Sequence, residues 1–118
     1  MLAAYRWVLQ CGALPEQVVF AGDSAGGNLA MLTLLYIRDH GKTCGLSLPN
    51  CAVLISPWLD MTGARTIGSP NVRHDIVLEY DTAVPILLDA LKPSDLPPDT
   101  PEISSLLTHD VSGYRHNC

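Results

Sequence analysis

Five residues, Gly22-Asp23-Ser24-Ala25-Gly26, constrain this chain more than any other feature. They fit the pattern G-x-S-x-G and lie between an apolar run and a helical one. The run ahead of them, Gln17 to Ala21 (QVVFA), is short and β-branched, which predicts a strand buried on both faces of a parallel sheet. Behind them, Asn28 to Asp39 carries helical spacing. Leu29, Leu32, Leu35 and Tyr36 are its expected buried positions, and Gly41 its expected stop. Gly22 to Gly27 then forms a tight glycine turn. A strand that turns sharply into a helix presents one side chain at the apex, and crowding on either side predicts a need for glycine at both Gly22 and Gly26. The Ser24 hydroxyl should stand free above the sheet. The N–H of Ala25, at the positive end of the new helix, should stabilise an oxyanion in the same space. Asp23 is expected to hydrogen-bond the backbone of the turn. A Walker loop would need a Gly-Lys-Ser/Thr that is missing, and a dinucleotide fingerprint a missing G-x-G-x-x-G. The plainer alternative is a glycine-rich turn that binds a phosphate or nothing.

The flanking segments set the fold class. Leu2, Tyr5, Val8 and Leu9 share one face at spacings of three and four, which predicts a helix over residues 2–11 ended by Gly12. Pro15-Glu16 opens a turn. Pro49-Asn50 leads into a second strand, Cys51 to Ser56 (CAVLIS), ended by Pro57. Helix, strand, helix, strand is the order of a parallel α/β sheet. Residues 57–73 read as a long loop. Residues 75–91 read as a helical segment broken near Pro85, and Pro93, Pro97, Pro98 and Pro101 as an extended connection.

Composition excludes several partners. The chain has 118 residues and a net charge of −5, with no cluster of Lys and Arg, which argues against nucleic acid and against a charged membrane surface. Leu29 to Ile37 is the longest apolar stretch, far short of the ~20 residues a membrane span needs. The first residues lack the pattern of a signal peptide, so a cytoplasmic location is expected. Cys11, Cys44, Cys51 and Cys118 form no regular spacing and are read as free thiols in a reducing compartment. His40, Cys44 and Cys51 lack the short ligand spacings of a metal site, so no metal is expected.

Gly22-Asp23-Ser24-Ala25-Gly26-Gly27-Asn28-Leu29-Ala30 resembles the nucleophile region of the hormone-sensitive-lipase-like branch of α/β-hydrolases. Ala4-Tyr5-Arg6-Trp7, Ser56-Pro57-Trp58-Leu59-Asp60 and Pro101-Glu102-Ile103-Ser104-Ser105-Leu106-Leu107 resemble that branch too, so the likeness covers most of residues 3–108. The resemblance implies a partial α/β-hydrolase fold: the central part of a mostly parallel sheet, flanking helices and part of a cap. Residues 17–21 would be the fifth strand, 24–39 the helix after the elbow and 51–56 the sixth strand. It implies a single incomplete domain, with an elbow-bearing core at 1–56, a loop and cap-like segment at 57–100, and a tail at 101–118 that departs from the family. It implies hydrolysis of a small-molecule carboxylic ester through an acyl-serine on Ser24, with Ala25 in the oxyanion hole, Gly22, Asp23, Gly26 and Gly27 shaping the elbow, and no metal or organic cofactor. Nothing here fixes an oligomeric state.

The family also uses an upstream His-Gly-Gly segment and a later Asp and His, none of which matches a position in this chain. The chain is therefore expected to be a fragment, inactive alone and prone to aggregate. Asp60 is read as a loop cap rather than a catalytic acid, His74 as a surface residue, and His109 and His116 as a solvated tail. His40 suits a helix end, and Trp58 is read as a packing residue beside the site. Some members of the family, such as gibberellin receptors, keep the serine elbow and bind a small molecule without turnover. A non-catalytic binding protein or degenerate fragment is thus the alternative.

Overall fold

The computed structural model describes residues 1–76, 86, 89, 96–108 and 110–114. Two compact units divide the chain, one formed by Met1–Leu59 with Thr108–Cys118 and the other by Asp60–Leu107.

The first unit carries the sheet. Helix α1 spans Leu2–Gln10. It ends where the sequence places its stop: the N–H of Gly12 bonds the Leu9 carbonyl at 3.0 Å and that of Ala13 the Val8 carbonyl at 3.4 Å, the paired bonds of a Schellman motif. A 3-10 turn, Pro15–Gln17, takes up the residues expected to begin the first strand. Strand β1 is Val19–Asp23, two residues later than its apolar run suggests, because Pro15 starts the turn and Gln17 closes it onto Leu14. Strand β2, Cys51–Ile55, pairs with β1 in parallel, in register from Val19 opposite Cys51 to Asp23 opposite Ile55.

Helix α2 runs over Ser24–Cys44, longer at both ends than the spacing predicts. Gly41 stays helical, and glycine is needed there because the Leu46 carbonyl packs where a side chain would sit. The stop is Gly45, in the left-handed region at φ 68°. The buried stripe of α2 also differs from expectation. Leu35 is buried as expected and Leu32 half-buried, but Leu29 and Tyr36 are exposed, and Gly27, Ala30, Leu34, Ile37 and Gly41 are buried beside Leu35. Gly27 lets the helix lie close to β1 and to the chain after β2, since a Cβ there would stand 3.2 Å from the Gly22 carbonyl.

Tyr5, Phe20, Ala30, Leu34, Ile37 and Leu46 form the core. The rings of Tyr5 and Phe20 meet edge to face, 4.9 Å apart. Both helices therefore cover the Phe20 face of the sheet. On the opposite face Val19, Val53 and Ile55 are exposed, so the strands are covered on one side rather than on both. Residues 110–114 dock on α2 rather than trailing free. Arg38 Nη1 donates to the carbonyls of Asp110 (2.6 Å) and Ser112 (3.3 Å), its Nε donates to Asp39 (2.7 Å), and its guanidinium lies over the Tyr114 ring. This pairing holds the Asp39 carboxyl below its ordinary value, through its hydrogen bond with Arg38 first.

The second unit contains helix α3, Ala64–Ile67, and 3-10 turns at Val72–His74 and Ser105–Leu107, so the expected loop over 57–73 holds a helical turn. Met61 and Ile103 are buried. Ser104, fully buried, donates its Oγ–H to the Pro98 carbonyl (2.6 Å) and accepts the Met61 N–H (2.8 Å). Residues 97–104 form turns, closed by Thr100 onto Pro97 and by Ser104 onto Thr100, rather than an extended connection. Of the expected helix over 75–91, Ile86 and Asp89 are helical, and most of the remainder, with Pro85, lies outside the described residues. No helix among the described residues is long and apolar enough to cross a membrane.

Candidate active site

The site begins with a backbone conformation. β1 ends at Asp23 and α2 begins at Ser24 with no loop between them. Ser24 makes that junction by adopting φ 49°, in the left-handed region that a residue with a Cβ seldom enters. Its side chain is exposed at the end of the sheet.

The glycines around it have unequal roles. A Cβ on Gly22 would collide with the Gly26 carbonyl and lie 2.8 Å from the Gly27 nitrogen. A Cβ on Gly27 would stand 2.7 Å from Pro57 Cβ. A Cβ on Gly26 would meet only Asp23 Oδ1, at 3.9 Å, among the described residues. The expectation that Gly22 and Gly26 are the two required glycines is thus half right. Gly22 is required, and the second requirement falls on Gly27, where the helix passes Pro57.

Ala25 lies in the first turn of α2, whose N–H groups have no acceptor within the helix. No acidic side chain sits in that turn to compete for them. Asp23 is the N-cap, yet its carboxylate makes no capping bond, contrary to the bond expected of it.

Sequence reasoning missed the brace behind the elbow. Ser56 directly follows the last register pair, Asp23 with Ile55, as Ser24 does on the neighbouring strand, and it too is left-handed, at φ 42°. The chain then bends so that Pro57 abuts Gly27 and the Trp58 N–H donates to the Ser24 carbonyl at 2.8 Å. Trp58 is therefore tied to the site through its backbone N–H. No sequence signal reports this, since a residue before proline is ordinarily extended.

The other candidates lie elsewhere. His40 is not at the helix end. Its ring lies tilted against that of Tyr36, 4.8 Å between ring centroids, and α2 continues to Cys44. At ~1.5 Å per residue, it is some ~24 Å along α2 from Ser24. Asp60 accepts hydrogen bonds from the Thr62 N–H (3.0 Å) and hydroxyl, the loop-cap role expected of it. His74 is exposed in a 3-10 turn. His109 and His116 lie outside the described residues. Among the described residues no group of His, Cys, Asp or Glu is placed to hold a metal ion.

Comparison with known proteins places this geometry in a family. The profile of a family described as alpha/beta hydrolase fold matches residues 1–117. An acetyl-hydrolase of Streptomyces hygroscopicus is 48% identical over 78 residues, which are 66% of this chain and 25% of that protein. Esterase LipU of Mycobacterium tuberculosis is 30% identical over 112 residues, 92% of this chain and 36% of that protein. The crystal structure of an esterase from the bacterial hormone-sensitive lipase family superposes with a TM-score of 0.72 at 31% identity, covering 89% of this chain and 33% of the other. The chain thus spans between a quarter and about a third of the length of these relatives. A parallel β1–β2 pair, a left-handed serine between strand and helix, and these likenesses agree: the chain belongs to the α/β hydrolase fold family, in its hormone-sensitive-lipase-like branch.

Proposed function

We propose that this chain is the nucleophile-bearing segment of a carboxylic ester hydrolase. The observation that carries the reading is Ser24, exposed and left-handed at the direct junction of β1 and α2. In this reading Ser24 Oγ attacks the ester carbonyl carbon as its proton passes to a base. The Ala25 N–H and the positive end of α2 stabilise the oxyanion of the tetrahedral intermediate. The intermediate collapses, the alcohol leaves with a proton, and water then releases the acid from acyl-Ser24. Esterase and acetyl-hydrolase relatives support the ester as substrate. No metal or organic cofactor enters this chemistry.

Among the described residues no base is assigned. His40 is too far along α2, and Asp60 is occupied by Thr62. A serine without its base is a weak nucleophile at neutral pH. The 118-residue chain by itself is therefore proposed to be a very poor esterase, as one incomplete hydrolase domain. Hydrolysis of a short p-nitrophenyl ester by the protein at the length its source produces tests the reading. Turnover should fall by at least ~10³-fold in Ser24→Ala. Ester binding without turnover would instead indicate a non-catalytic binding protein.

A further inference from the structure

The brace behind the elbow bears on the oxyanion donor itself, an inference that rests on reading Ser24 as the nucleophile. The carbonyl of Ser24 and the N–H of Ala25 belong to one peptide group. That group is planar and trans, so its C=O and N–H point in opposite directions and turn together. The Trp58 N–H holds the carbonyl end at 2.8 Å. A bond accepted at the carbonyl fixes the plane and polarises the N–H at the other end into a stronger donor. We propose that the Trp58 backbone N–H is the positioning group for the oxyanion donor, and that Ser56 and Pro57 deliver it.

The delivery is visible in the backbone. Ser56 takes the left-handed conformation immediately after β2. Non-glycine residues in that region persist only where surrounding structure over-determines them. Here the surrounding contacts are Pro57 against Gly27 and Trp58 against Ser24, one on the helix and one on the elbow. Two adjacent strands thus end in left-handed serines, the first presenting a hydroxyl and the second returning the chain to hold the first.

The test is an ester backbone analogue, Trp58→indole-3-lactic acid, in the protein at the length its source produces. It keeps the indole and puts an ester oxygen, which cannot donate, in place of the N–H. A fluorophosphonate probe reads the site, because phosphonylation of Ser24 Oγ with loss of fluoride builds charge where the oxyanion would form. The expected result is a labelling rate lower by ~10-fold or more with the same final extent, and kcat on a p-nitrophenyl ester reduced by a similar factor with KM kept. Pro57→Gly, which slackens the brace but keeps the N–H, should lower the rate by a few-fold and serves if the analogue does not fold. An unchanged rate in both variants overturns the proposal. So does a final extent that falls in proportion to the rate, since that reports lost folding instead of lost positioning. Absence of labelling at Ser24 in the unaltered protein overturns the nucleophile reading and this inference together.

Discussion

At the scale of single residues, the elbow separates glycines that look alike in sequence. The nearest neighbours of a Cβ at Gly22 are backbone atoms of Gly26 and Gly27, which cannot step aside. At Gly27 the neighbour is the ring of Pro57. Gly22→Ala and Gly27→Ala should each cost about 1–3 kcal/mol, as overpacking does, and more if the elbow must open. Gly26→Ala should be neutral or stabilising by up to ~1 kcal/mol, since alanine is the better helix former and the space is open. Denaturant unfolding of the three variants checks the order. A Gly26→Ala loss as large as that of Gly22→Ala would contradict it. Motif spacing alone makes Gly22 and Gly26 equivalent, because the pattern is symmetrical about the serine. Only the approach of β2's exit loop, with Pro57 thirty residues along the chain from Gly27, shows where the crowding falls.

Among elements, the link from α1 to the loop after α2 is a tyrosine. Tyr5 OH donates to the Ser47 carbonyl at 3.0 Å, and its ring packs against Phe20. Burial, then the charge of Glu16, raises this phenol above its ordinary value of 10.0. A group whose folded pKa is raised contributes stability that is intact below the unfolded value and is lost as pH climbs through the folded one. Stability should therefore decline above about pH 10 more steeply in the wild type than in Tyr5→Phe. At neutral pH Tyr5→Phe should cost ~1 kcal/mol for the hydrogen bond. Chemical denaturation at pH 7 and pH 10.5 reads both effects. A further link is Arg38, which holds the backbone of residues 110–112 to α2. Arg38→Ala should release that segment, seen as faster amide exchange at residues 110–114 with β1 unchanged.

The elements themselves were largely legible in the sequence. Apolar period and glycine placement located α1, the order of strands and the elbow, because these depend on local spacing. Three features were not legible. The start of β1 was displaced by the 3-10 turn that Pro15 begins. The inward face of α2 follows the leucine pattern at Leu35 but leaves Leu29 and Tyr36 exposed and buries the small residues Gly27 and Ala30 instead. The brace from Ser56 to Trp58 depends on a positive φ before proline, which local preference disfavours.

Across the whole molecule, the sheet face opposite α1 and α2 leaves Val19, Val53 and Ile55 exposed in adjoining positions of two paired strands. A two-stranded sheet has two edges, and apolar strands with open edges associate. The 118-residue chain alone should self-associate at micromolar concentration and bind a hydrophobic dye, and the double variant Val53→Lys, Ile55→Lys should reduce both. Sedimentation velocity decides this. A monomer with one sharp thermal transition would contradict it. The relatives it matches are about two and a half times as long, so activity is best sought in the protein at its native length.

The most direct measurement is fluorophosphonate labelling of that native protein, followed by mass mapping of the modified peptide. One phosphonyl group on Ser24, lost in Ser24→Ala, is the predicted result. Labelling of another residue, or none at a concentration that saturates a serine hydrolase, would contradict the account of the β1–α2 junction as a nucleophile elbow.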